Sequence, residues 1–170
     1  MKNLVSSLLT LEKEEKILIV GLGNTILKDE GVGVYIAKKL SSLKLPTRVK
    51  IVECGTDLLR IMNHYSQQEK VIIIDAVRGG KEPGTIYQFD EEELLNIRAQ
   101  TRSVHQISVS SSIKLLKKLS SSWSKARVML IGIEPKIIDY GNDLSPEIKI
   151  SADRIIRKIH DILQKNNLLV

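Results

Sequence analysis

With Cys54 as its only cysteine in 170 residues, the chain has no intrachain disulfide and no cysteine-rich zinc cage, and it fits a reducing, cytoplasmic setting. Nothing in it approaches twenty consecutive apolar residues, so no helix can span a membrane. The amino-terminal MKNLVSSLLTLEKEEK contains an apolar run, but Ser6, Ser7 and Thr10 interrupt it and acidic residues close it, which makes a poor signal-peptide core. Residues 1–15 read as a short amphipathic helix or a frayed arm ahead of one domain over 16–170. Repeats and long low-complexity linkers are missing. So are the H-E-x-x-H zinc helix, the G-x-S-x-G nucleophile elbow and the G-x-x-x-x-G-K-[ST] phosphate loop. A basic block is missing too. The formal charge is +6 and the pI about 9.4, but the cations are spread among 20 acidic residues, a pattern that serves solubility and not nucleic-acid binding.

What is present is an alternation of strand and helix signals. Short, continuously apolar, β-branched runs at Lys16 to Val20, Val49 to Val52 and Val71 to Ile74 have the character of strands buried on both faces. Helical spacing of Val32, Ile36, Ala37 and Leu40 joins the first two, and Leu58, Leu59, Ile61 and Met62 suggest a helix before the third. The Gly/Pro-rich VRGGKEPG then leads into a strand at Thr85 to Phe89, too near for a parallel crossover and therefore antiparallel or at an edge. A brief helix over Glu91 to Ile97, a longer one marked by Ile107 to Leu119, a loop at SSSWSK and a strand at Arg127 to Ile133 follow. An amphipathic helix over Ile148 to Leu163, started by Ser145 and Pro146, closes the chain. The expected fold is a three-layer α/β/α domain with a twisted, mostly parallel sheet of about five strands, which collects its functional residues at the strands' carboxyl ends.

The loop after the first strand, GLGNTILKDEGVG, begins like a dinucleotide site, with Glu53 placed at the end of strand two as a ribose-binding acid. Two features oppose that reading. The third glycine of G-x-G-x-x-G falls at Ile26, and Asp29 and Glu30 put negative charge where a helix amino terminus attracts pyrophosphate. Taken alone, either acid is a helix cap or a ligand. Asp75 ends the third strand and is a turn former or a site residue by the same logic. His105, in RSVHQIS at the entry to a helix, completes a set of two carboxylates and one imidazole drawn from three strand-to-helix junctions, which suits a borderline ion such as nickel or zinc. His64 and His160 lie within predicted helices and have surface or packing roles. Cys54 at a strand end is a buried thiol or, less economically, a nucleophile.

Beyond its first fifteen residues the chain resembles the hydrogenase maturation endopeptidases, which trim the carboxyl-terminal extension from the large subunit of nickel-iron hydrogenases. The matching stretches are GLGNTILKDEGVG, ECGTDLL, IIIDAVRGGKEPGTI, SVHQIS and IGIEPKIIDYGNDLSPEI, in that order. The resemblance implies that Glu30, Asp75 and His105 are the metal-contacting and catalytic residues, and that the nickel arrives in the substrate precursor, with zinc or cadmium as a substitute. It implies a hydrogenase large-subunit precursor as partner and a checkpoint in which only the loaded precursor is cut. Asp29 is expected to orient Glu30 from behind, and Gly55 and Thr56 to border the substrate channel. A non-catalytic nickel-sensing chaperone using the same ligands and a dinucleotide-binding oxidoreductase are the competing functions.

Overall fold

Alternate side chains of each central strand enter opposite layers, because a pleated strand buried on both faces must fill two cores at once. In the computed structural model, which describes residues 15–96 and 104–168, β1 (Ile17–Leu22), β2 (Val49–Gly55), β3 (Lys70–Ala76) and β5 (Arg127–Ile133) are parallel and β4 (Ile86–Phe89) runs antiparallel along β5 at the edge. The order is β2-β1-β3-β5-β4. Ile17, Ile19, Ile72, Ile74, Met129 and Ile131 face one layer, and Leu18, Val20, Val71, Ile73, Val128 and Leu130 the other.

The first layer is made by α1 (Val32–Ser41) and the long final helix, which as α5 runs over Pro146–Leu168. Val32, Ile36 and Leu40 of α1 meet Ile148, Ile155 and Ile159 of α5 over the sheet. The second layer holds α2 (Glu91–Leu95), α3 (Val104–Leu119), α4 (Ser121–Lys125) and a 3-10 helix at Leu58–Asn63. Two expectations change here. The apolar residues after β2 form that 3-10 helix, started by the Asp57 side chain accepting from the Leu59 amide at 2.9 Å, and not an α-helix. SSSWSK is helical at α4 and not a loop, since its Trp123 is buried and stacks on Tyr65 with ring centroids 4.3 Å apart. Burial of one large ring outweighs the weak helix preference of the serines around it.

β1 has its helical connection to β2 on one side and pairs with β3 on the other, so the chain reverses its winding direction between β1 and β3. Crevices form at the carboxyl edge of such a switch point. Glycine lets α1 close down over that crevice. A Cβ on Gly33 would lie 2.1 Å from the Ile74 carbonyl oxygen and 2.3 Å from that of Leu22, so the helix rests directly on the ends of β1 and β3.

Candidate functional site

Glu30 and Asp75 come together at this switch point. Asp75, the penultimate residue of β3, is 3% exposed, and Glu30, in a 3-10 turn at Lys28–Gly31 that precedes α1, is 7% exposed. Burial pushes the Asp75 carboxyl up to about 7, against the hydrogen bond its Oδ1 accepts from the Ala76 amide at 2.8 Å, and the neighbouring charge of Glu30 adds to the rise. Two carboxyl groups sharing a nearly dry crevice favour a proton or a cation between them. Asp75 stays buried in the carboxyl end of the sheet, against the turn that carries Glu30. That loop is shaped around Glu30. Gly23 has φ +129°, and a Cβ there would come within 1.9 Å of the Glu30 carbonyl oxygen.

Asp29 does something other than orient Glu30. Its carboxylate is fully buried and accepts from the amides of Lys136 at 3.0 Å, Ile137 at 2.8 Å and Ser145 at 2.6 Å, and from the Ser145 hydroxyl at 2.8 Å. It clamps the loop after β1 to the segment between β5 and α5. The Leu27 to Gly141 bridge, with the Lys28 amide donating to the Gly141 carbonyl at 2.8 Å and the Gly141 amide to that of Ile26 at 3.0 Å, closes the same seam. Together with Gly33, whose missing Cβ serves helix-to-strand packing, this leaves the glycine loop no phosphate-cradling role. The dinucleotide reading gains nothing from the geometry.

His105 lies in the first turn of α3, but its side chain is outside the described residues. The other end of the helix bounds its position. Lys117, near the end of α3, donates through Nζ to the Ala126 carbonyl at 2.9 Å, beside the amino end of β5. A sixteen-residue helix spans about 24 Å, so the backbone of His105 lies within that reach of the amino end of β5. Among the described residues no three His, Cys, Asp or Glu side chains converge as a metal-holding group. His64 caps the 3-10 helix after β2, and His160 sits on α5 beside Asp161 at 3.7 Å; neither belongs to the crevice. Burial raises the Cys54 thiol to about 11, with Arg60 opposing, so Cys54 is a packed thiol and not a nucleophile. Gly55 accepts from the Gly23 amide at 2.8 Å, which ties the loop after β2 to the crevice rim.

One organising residue has no counterpart in the sequence reading. Glu134 follows β5 and is buried; its Oε2 accepts from the Gly79 amide at 2.8 Å, the Lys81 amide at 3.2 Å and the Tyr87 hydroxyl. Burial alone would raise its carboxyl, but those bonds outweigh burial and hold it below the usual carboxylate value. Burial and the Glu134 bond push the Tyr87 hydroxyl up to about 12. Glu134 thus fixes the β3-to-β4 loop that leaves the crevice just past Asp75. The available signal was its place, since it ends a buried strand ahead of a proline as Asp75 ends another.

A family model described as hydrogenase maturation protease matches residues 34–162. A putative hydrogenase maturation protease of Methanocaldococcus jannaschii is 28% identical, covering 93% of this chain and 94% of its own. Protein FrxA of Pyrococcus furiosus is 32% identical over 81% of this chain and 97% of its own. Among solved structures, the [NiFe] hydrogenase maturation protease HybD from Thermococcus kodakarensis superposes with a TM-score of 0.76 at 32% identity, covering 87% of this chain and 99% of that one. The maturation protease HycI of the same organism, at 23% identity, shares the fold with a TM-score of 0.81 over 95% and 99% of the two chains. On the family match and these likenesses, the chain belongs to the hydrogenase maturation protease family and is a peptidase.

Proposed function

We propose that this protein removes the carboxyl-terminal extension of a [NiFe] hydrogenase large-subunit precursor whose nickel is already in place, and that Glu30, Asp75 and His105 engage that ion as cargo of the substrate. The observation that carries the reading is the buried Glu30 and Asp75 pair at the switch point of the sheet. An oxygen-rich pair suits a borderline divalent ion once an imidazole such as that of His105 joins it. Two carboxyl groups this close and this dry also have a reason to prefer a substrate that brings positive charge, which gives a checkpoint: an empty precursor lacks the interaction that seats it.

Engagement of the ion orients the precursor's tail in the crevice. Hydrolysis then adds the elements of water across one peptide bond, with the new carboxylate left on the precursor and the new amine on the released tail. The water is activated by one of the crevice carboxylates or the scissile carbonyl is polarised. Zinc and cadmium have the coordination chemistry to stand in for nickel at such a set.

Mass spectrometry of a nickel-loaded and a nickel-free precursor, each incubated with the parent chain and with a His105→Ala variant, tests this. A short carboxyl-terminal mass loss that requires both nickel and His105 is the expected result. Binding of the loaded precursor without mass loss would instead make the protein a nickel-sensing chaperone.

A further inference from the structure

The seam between the loop after β1 and the segment after β5 displays three large apolar side chains to solvent: Ile26 at 54% exposure, Ile137 at 40% and Tyr140 at 79%. They are not on slack chain. Gly141, next to Tyr140, exchanges backbone hydrogen bonds with Ile26 and Lys28, and the Ile137 amide is held by the buried Asp29 carboxylate. Beside them lies a groove of about 260 Å³ whose wall includes Lys28, Tyr35 and Lys38. Lys28 has no ionic partner among the described residues, and Lys38 approaches only Glu53, at 3.8 Å on the surface. Lys28 also holds a left-handed backbone, φ +46°, which is uncommon for a residue with a side chain.

We infer that this seam is the docking surface for the folded body of the large-subunit precursor, which presents to it an apolar contact with an acidic side chain set against Lys28. The inference rests on the endopeptidase reading and adds to it a recognition site outside the crevice. Three observations select this occupant. The surface adjoins the crevice along the chain, since residues 26 to 28 run directly into Asp29 and Glu30 in one loop, so a substrate whose tail enters the crevice can lay its body over this loop. Its anchors are pinned before the partner arrives, so little conformational entropy is lost on docking. Its Lys28 has no ionic partner among the described residues, although Asp139 and Asp143 of the same seam are also exposed. A second copy of this chain carries the same formal charge of +6, so the long-range field opposes that association.

Steady-state processing of the nickel-loaded precursor by the parent chain, by an I26S/Y140A double variant and by Lys28→Glu tests the inference, alongside light scattering of each protein alone. Calorimetric titration of the same precursor in the Asp75→Asn background measures binding without turnover. The expected result is a roughly tenfold rise in the half-saturating precursor concentration for both variants, with the maximal rate nearly unchanged. The defect of Lys28→Glu should shrink as salt is raised. Half-saturation and titration curves that match the parent, while the parent cleaves, overturn the docking surface and leave the peptidase reading standing. Failure of the parent to bind or cleave any loaded precursor overturns both. A parent dimer that I26S/Y140A converts to monomer assigns the seam to a second copy and also overturns the proposal.

Discussion

Asp75 carries a stability signature that separates its chemical role from a structural one. Its folded-state value near 7 stands above the ordinary 3.8, so between those values the folded chain keeps a proton that the unfolded chain has released. Stability from this group is therefore greatest below about pH 4 and falls as pH rises toward 7, by on the order of 4 kcal/mol if the full shift is expressed. Asp75→Asn removes the charge while its side-chain oxygen still accepts from the Ala76 amide. The variant should melt at or above the parent's temperature at pH 8, the gap closing as pH is lowered to 4, and its processing rate should fall by roughly a hundredfold or more. Circular dichroism melts across that range decide the matter, and a parent-like pH slope in the variant would reject the buried-proton account. Asp29 behaves oppositely. Asp29→Ala strands the amides of Lys136, Ile137 and Ser145 and the Ser145 hydroxyl, and should cost about 3 kcal/mol or more of stability in a urea titration. A loss under 1 kcal/mol would mean that water replaces the carboxylate, contrary to a clamp. Two adjacent acids, alike in the sequence, thus divide into a ligand candidate and a structural tie.

That division could not be read from residue order, because it depends on the segment after β5 folding back more than a hundred residues later. What could be read were elements whose pattern is local. The strands announced themselves by β-branched runs, the antiparallel β4 by a connection too short to cross over, and α1 by its apolar spacing. The 3-10 helix and α4 escaped because tertiary burial, of Leu58 and Ile61 in one and Trp123 in the other, set their form. Glu30 and Asp75 were legible since strand ends and helix entries are where such sheets place chemistry; Glu134 was not, because its meaning lies in donors from another strand's loop. The same scale explains the glycines. Gly33→Ala forces a methyl group toward the carbonyls of Ile74 and Leu22, at 2.1 and 2.3 Å, and neither strand end can yield without moving Asp75. It should destabilise the fold by about 2 kcal/mol or more and depress processing as well, whereas Lys39→Ala on the exposed side of α1 should stay within about 0.5 kcal/mol of the parent. Equal denaturation midpoints for the two variants would contradict close seating of the helix.

At the scale of the whole molecule, the two cores are coupled through the strands they share. Ile73 and Ile74 are neighbours in β3 yet feed opposite layers, Ile74 packing with α1 and α5 and Ile73 with α3 and α4. Neither layer has an alternative surface on which to remain folded once β3 leaves the sheet, because β1, β3 and β5 form its centre. The chain should therefore unfold as one cooperative unit. Trp123, the single tryptophan, is buried in the second layer and reports on it by fluorescence, while far-ultraviolet circular dichroism sees both layers. Ile74→Ala removes volume from the first layer only, and truncation of a buried isoleucine costs about 2–5 kcal/mol. Its urea midpoint should fall by the same amount in Trp123 fluorescence as in circular dichroism, and Ile73→Ala, on the tryptophan's own side, should behave alike. If Ile74→Ala shifted the dichroism midpoint and left the fluorescence midpoint in place, the layers would be separate folding units. The rigid seating of Glu30 against Asp75, which needs α1 and β3 ordered together, would then fail before the rest of the molecule did.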